Sequence, residues 1–150
     1  MEFIEVTDRG TKGKGVRAMK SFDPGEIVLT FEGKKIVPEP GEHTLQIGLG
    51  EHLVVEAPGR YVNHSCTPNC GIVGKLCLVA MRPIAKDEEI TFDYAMTELS
   101  PVSQRTKCLC GTKRCRGRMT GFNGLSKALK NEYGDYISDY LREYEIEQTS

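Results

Sequence analysis

The sequence predicts a β-rich α+β fold, and two observations carry that prediction. Over the first 95 residues, short apolar or β-branched runs alternate with turns bearing Gly and Pro, with no helical spacing. Near the C-terminus the period changes. Leu125, Leu129, Tyr133, Ile137, Leu141 and Tyr144 recur every three or four residues, and Gly134 interrupts them, which predicts one helix or two short ones. The 150 residues suit one domain able to bury roughly two thirds of its unfolded surface.

In chain order, Gly10-Thr11-Lys12-Gly13-Lys14-Gly15 is a glycine-rich entry to the first predicted hairpin, residues 15–31, whose turn is Asp23-Pro24-Gly25-Glu26. Pro38, Pro40 and Gly41 argue against regular structure over residues 34–43. A second hairpin sets Thr44–Leu49 against His52–Glu56 around Gly50-Glu51. A third sets Gly71–Val73 against Leu76–Met81 around Gly74-Lys75. Cys77 lies in that last run and reads as an inert core thiol. Ala80-Met81-Arg82-Pro83-Ile84 echoes Ala18-Met19-Lys20-Ser21-Phe22, and a strand is expected over Ile90–Tyr94. His43 and His52 have no partner at ligand spacing, and the tyrosines of the C-terminal stripe read as packing residues.

Charge and composition narrow the function classes. The net charge of −1 draws the whole molecule neither to nucleic acid nor to an anionic membrane. Apolar runs are too short for a membrane-spanning helix, and Met1–Glu5 shows no secretory n- or h-region. Six cysteines in such a chain point to metal or reduced thiols, hence to a reducing, intracellular setting. Residues 103–118 carry Arg105, Lys107, Lys113, Arg114, Arg116 and Arg118 with no acid. The segment 132–147 carries six acids against Arg142.

Two stretches carry chemistry. Asn63-His64-Ser65-Cys66-Thr67-Pro68-Asn69-Cys70 packs two amides, an imidazole, a hydroxyl and two thiols into one loop. Cys108-Leu109-Cys110-Gly111-Thr112-Lys113-Arg114-Cys115 is C-x-C-x4-C, too thiol-dense for core packing. Such a set favours tetrahedral zinc. Three cysteines leave the site one ligand short, so a fourth is expected from Cys66, Cys70 or Cys77. The strand position of Cys77 makes it the poorest, and spacing does not choose between the other two.

Gly13-Lys14-Gly15-Val16-Arg17-Ala18, Arg60-Tyr61-Val62-Asn63-His64-Ser65-Cys66-Thr67-Pro68-Asn69, Glu89-Ile90-Thr91-Phe92-Asp93-Tyr94 and Cys108-x-Cys110-x4-Cys115-Arg116-Gly117 occur in that order. Together, over residues 10–118, they resemble a SET-domain protein lysine methyltransferase with a cysteine-rich post-SET segment. The resemblance implies a SET fold of small curved β-sheets with a pseudoknot beneath the active site, a zinc-bound post-SET loop and a C-terminal helix or helices. It divides the chain into a SET core (1–100), a post-SET zinc loop (101–118) and a helical tail (119–150). It implies S-adenosylmethionine bound by Lys14, Gly15, Asn63 and His64 with Leu109 over the adenine, and zinc on Cys66, Cys108, Cys110 and Cys115. Tyr94 matches the catalytic tyrosine, and Phe92 and Phe31 the lysine channel.

The implied activity is S-adenosylmethionine-dependent protein-lysine N-methylation of a peptide or protein, with a histone tail or another basic tail among the candidates. The site would be nuclear or chromatin-bound in a eukaryote and cytoplasmic in a bacterium. No nucleic-acid or membrane partner is expected. A catalytically silent SET module serving as a protein-interaction domain is the alternative. A zinc-ribbon-like nucleic-acid binder has less support, lacking aromatics in the basic loop and a basic net charge. Three features depart from the family. No cysteine-rich pre-SET region is seen, Phe31 stands where many members have tyrosine, and only 31 residues lie between Phe31 and Asn63. The acidic segment is expected to steer a lysine-rich substrate.

Overall fold

The computed structural model describes residues 3–10, 13–101 and 107–149. Thr11 and Lys12 of the glycine-rich entry and Arg105 of the basic run lie outside them.

Among the described residues, ten short strands form four small sheets. β1 (Ile4–Asp8) and β2 (Lys14–Ala18) pair antiparallel, Val6 opposite Val16. β3 (Ile27–Thr30), β9 (Cys77–Ala80) and β8 (Cys70–Val73) form an antiparallel sheet in the order β3-β9-β8. β4 (Lys35–Val37), β6 (Glu51–Val54) and β5 (Thr44–Gly48) form another, in the order β4-β6-β5. The two-residue strands β7 (Asn63–His64) and β10 (Thr91–Phe92) pair in parallel.

The second and third predicted hairpins stand as β5–β6 and β8–β9. The latter turns through Gly74 at φ +70°, a left-handed conformation that costs glycine little. The first does not form. Its turn exists, with Glu26 N–H donating to Asp23 O at 3.0 Å, but β2 pairs with β1 and β3 with β9. The turn therefore joins two sheets. Residues 34–43 also differ from expectation, because Lys35–Val37 finds a partner in β6 ahead of the prolines. The echoing segments 18–22 and 80–84 lie side by side, with Phe22 and Ile84 exchanging backbone hydrogen bonds.

The expected strand over Ile90–Tyr94 is shorter than predicted. Thr91 and Phe92 pair, Asp93 accepts from Ala95 N–H through its side chain, and residues 94–96 turn into a 3-10 helix. That cap converts the strand end into a corner at Tyr94. The helical stripe breaks where Gly134 predicts, into α1 (Lys127–Tyr133) and α2 (Asp139–Thr149). Ser126 caps α1, accepting from Leu129 N–H at 3.1 Å.

One core joins these pieces. Val16, Phe22, Ile72, Leu78, Ile84, Ile90 and Met96 are fully buried, and Tyr133, Ile137, Tyr140 and Leu141 of the C-terminal segment join the same cluster. Burying such a side chain contributes about 1.5–3 kcal/mol, so the tail is part of the domain rather than an appendage. Among the described residues, no helix is long and apolar enough to cross a membrane.

Candidate active site and metal centre

The parallel pair β7–β10 sets Asn63 beside Thr91 and His64 beside Phe92, bringing residues far apart in sequence to one point. Asn63 Nδ2 donates to Lys14 O at 2.9 Å and to Glu89 Oε2 at 3.0 Å. Gly15 sits in the same corner. A Cβ there would lie 2.7 Å from Arg9 Cδ and 2.8 Å from Glu89 Oε2, so a larger residue would push these two side chains aside. Lys14, Gly15 and Asn63 are thus in one place. Glu89, the first residue of its motif but given no role by the sequence, accepts from Asn63 and pairs with Arg9 at 3.2 Å.

His64 connects two centres. Its Nδ1 accepts from Tyr94 N–H at 3.0 Å, which leaves the ring proton on Nε2, 3.3 Å from Cys66 Sγ. Burial holds its pKa down to about 4, so the ring is neutral. Its plane meets that of Tyr94 edge-on, centroids 5.3 Å apart. Tyr94 donates its hydroxyl to Val62 O at 2.7 Å and packs against Phe92 at 5.0 Å. Phe31, Val62, His64, Phe92 and Tyr94 line one cavity, together with His43, Pro101, Met119 and Thr120.

The metal centre gathers Cys66, Cys108, Cys110 and Cys115, whose Sγ atoms all lie within 4.8 Å of one another. Cys66 and Cys108 are 3.7 Å apart. A tetrahedral zinc with bonds of about 2.3 Å has sulfur–sulfur edges of about 3.8 Å, so the donor set fits that ion. Burial raises the Cys66 and Cys108 thiols, so without a metal they remain protonated. The fourth candidate is therefore Cys66. Cys70 is buried in β8 with its pKa pushed up to about 12, away from the cluster. Cys77 corrects its reading as a core thiol: it is half-buried, 4.0 Å from Thr30 Oγ1. The backbone closes the cysteine loop, Cys108 N–H donating to Gly117 O at 3.1 Å. Leu109 projects from it at 81% exposure and is not part of the cavity lining.

Beneath these groups lies Asp93, fully buried. Arg116 Nη1 and Nη2 donate to Oδ2 and Oδ1 at 2.7 and 2.9 Å, and Tyr133 donates its hydroxyl to Oδ2 at 2.6 Å. Burial alone would raise the Asp93 pKa, but the Arg116 and Tyr133 donors hold it below the usual carboxylate value. Tyr133 corrects the packing-only reading of the tyrosine stripe, since its hydroxyl makes a buried bond to a charge. Arg116 had a sequence signal, its place after Cys115; Tyr133 had none.

The four small sheets, the corner at residues 91–96 and the cysteine cluster beside it are similar in arrangement to SET methyltransferase structures. Residues 41–95 match the model of the SET domain family. The chain resembles SET-domain lysine methyltransferases with a post-SET cysteine segment. It is 28% identical over 142 residues to histone-lysine N-methyltransferase ASHH2 of Arabidopsis thaliana, covering 79% of this chain and 8% of that protein. It is also 28% identical over 127 residues to an H3 lysine-4 specific histone-lysine N-methyltransferase of Neurospora crassa, covering 69% of this chain and 10% of that protein. The chain thus spans about a tenth of the length of these relatives. Among solved structures, KRYPTONITE in complex with mCHG DNA and SAH superposes with a TM-score of 0.63 at 25% identity, covering 79% of this chain and 29% of that one. The methyltransferase domain of human SETMAR superposes at 0.62 and 22% identity, covering 79% and 58%.

Proposed function

We propose that this chain is an S-adenosylmethionine-dependent protein-lysine N-methyltransferase with a structural zinc. The observation that carries the reading is the packing of Tyr94, held between His64 and Phe92 with its hydroxyl on Val62 O, at a cavity lined also by Phe31. In support, relatives are named histone-lysine methyltransferases, and a KRYPTONITE structure contains an H3(1-15) peptide and SAH. The substrate class is a lysine in a peptide or protein, with histone or other basic tails as candidates. The division into SET core (1–100), post-SET loop (101–118) and helical tail (119–150) belongs to the same proposal. So does a nuclear or chromatin site if the source is eukaryotic.

S-adenosylmethionine, when bound, supplies a methyl group on a sulfonium. Lys14, Gly15, Asn63 and His64 would hold it, with Leu109 covering the adenine. Cys66, Cys108, Cys110 and Cys115 would hold zinc, whose work is structural. A lysine amine has a pKa near ~10.4 in water, so it must shed a proton before it attacks. Phe31 and Phe92 exclude water from the channel, and desolvation favours the neutral amine. A phenol is a weak base near neutral pH, so Tyr94 orients the amine and leaves the proton to solvent. Alignment then supplies much of the rate.

Incubating the chain with labelled S-adenosylmethionine and a histone mixture tests the reading. Label on lysine supports it. Cofactor binding without transfer would favour the silent module, and no cofactor binding would remove both.

A further inference from the structure

The buried carboxylate of Asp93 has a complete set of donors, and they come from three places in the chain. A carboxylate offers about four acceptor sites. At Oδ1 the donors are Arg116 Nη2 at 2.9 Å and Ala95 N–H at 3.0 Å. At Oδ2 they are Arg116 Nη1 at 2.7 Å and Tyr133 Oη at 2.6 Å. A charge with no solvent contact is tolerated only when so paired. Tyr133 is the last residue of α1, beyond the cysteine loop. Burial and the facing carboxylate raise its pKa, so it stays a donor.

Each donor fixes something else. Asp93 immediately precedes Tyr94, and its Oδ1 lies 3.6 Å from His64 Nδ1. Arg116 follows Cys115, and its own N–H points at Cys66 Sγ at 3.4 Å. Through Asp93, α1 therefore holds the cysteine loop against the His64–Tyr94 corner. Arg114 adds a second tie between loop and helix, two bonds to Glu132 at 3.0 and 3.1 Å. That pair is exposed, so it contributes little on its own.

On the reading above, we propose that Tyr133 is a positioning residue for the cofactor side of the site. It acts through Asp93 and Arg116 to set where the cysteine loop stands. Removing its hydroxyl leaves Asp93 Oδ2 one donor short and frees the Arg116 fork to shift toward it. The loop moves with Arg116, while Phe31 and Phe92 stand in a cavity wall to which Tyr133 does not belong, so the channel is expected to keep its shape.

The test uses the full chain and its Tyr133→Phe and Tyr136→Phe variants. Tyr136 is the neighbouring tyrosine and packs against Gly71. Calorimetry gives the S-adenosylmethionine Kd, and steady-state kinetics on a lysine peptide separate the two KM values from kcat. Tyr133→Phe is expected to raise the cofactor Kd and cofactor KM about tenfold, the peptide KM staying within twofold. Tyr136→Phe should match the parent. Equal cofactor Kd in Tyr133→Phe and a cofactor-binding parent overturns the proposal, as does an equal rise in both variants or a parallel rise in both KM values. A parent that binds no cofactor overturns the enzyme reading and this proposal with it. Should Tyr133→Phe unfold, Arg116→Lys serves instead. It keeps the charge but loses the fork, and the same rise in cofactor Kd is expected.

Discussion

Phe31 and Phe92 face each other with ring centroids 5.7 Å apart and planes inclined by 57°. Both are buried, and neither carries a hydroxyl that could hold an amine or a water in place. A methylated amine in such a channel is free to turn and present its lone pair again. The parent is therefore expected to add two or three methyl groups, and Phe92→Tyr mostly one. Mass spectrometry of a methylated peptide under excess cofactor checks this, and a parent that halts after one methyl would take the control of product away from Phe92.

Metal and cofactor are expected to be linked, because Cys66 follows His64 by two residues while the other three cysteines carry Leu109. Stripping the metal with a strong chelator should release one zinc per chain and raise the cofactor Kd about tenfold or more, since structural zinc is worth roughly 10 kcal/mol or more of folding free energy. Calorimetry before and after chelation measures it. Loss of one zinc at constant affinity would break the link.

The acidic tail is more internal than its charge implies. Glu132 pairs with Arg114, Glu145 with Lys130, and Asp135 and Asp139 with Arg142. Leu125, Tyr133, Ile137, Tyr140 and Leu141 are buried. At about 1.5–3 kcal/mol each, they approach the about 5–15 kcal/mol of a whole domain. Deletion after Gly121 is thus expected to unfold the protein rather than merely alter its KM. A truncated chain that melts within a few degrees of the parent would restore substrate steering as the tail's main role.

His52, buried on β6 with no hydrogen-bond partner for Nδ1 among the described residues, has its pKa lowered by burial, against a smaller opposing pull from Glu39. A depressed histidine contributes stability above its unfolded value near ~6.5, and this is lost as pH falls toward the folded value. The Tm of the parent should therefore drop between pH 7 and pH 5 by more than that of His52→Gln. Parallel Tm–pH curves for the two proteins would rule His52 out as a source of acid sensitivity.

Much of this architecture was legible wherever pairing is local. β5–β6 and β8–β9 follow from apolar runs around a two-residue turn, and the break at Gly134 from one residue's propensity. The first hairpin misled because its turn chemistry was right: a turn fixes chain reversal, and partner choice rests with the sheets, here β1 and β9. At the site, three candidate ligands stood in one motif, whereas spacing did not choose the fourth; the resemblance named Cys66, and the fold brings it within 3.7 Å of Cys108. Tyr133 left no trace in the sequence, since its helical spacing says only that it packs. A bond between a hydroxyl and a carboxylate 40 residues away is a property of the assembled corner.

That corner also has a schedule. A ribosome releases residues 63–94 well before Arg116 and Tyr133, so the nascent Asp93 carboxylate begins with only the Ala95 amide among its eventual donors. An ionised group so poorly paired resists leaving water, and the loop 63–70 should stay open to proteases in chains stalled at residue 121. In finished chains it should close. Vectorial synthesis thereby delays completion of the pocket until α1 has emerged.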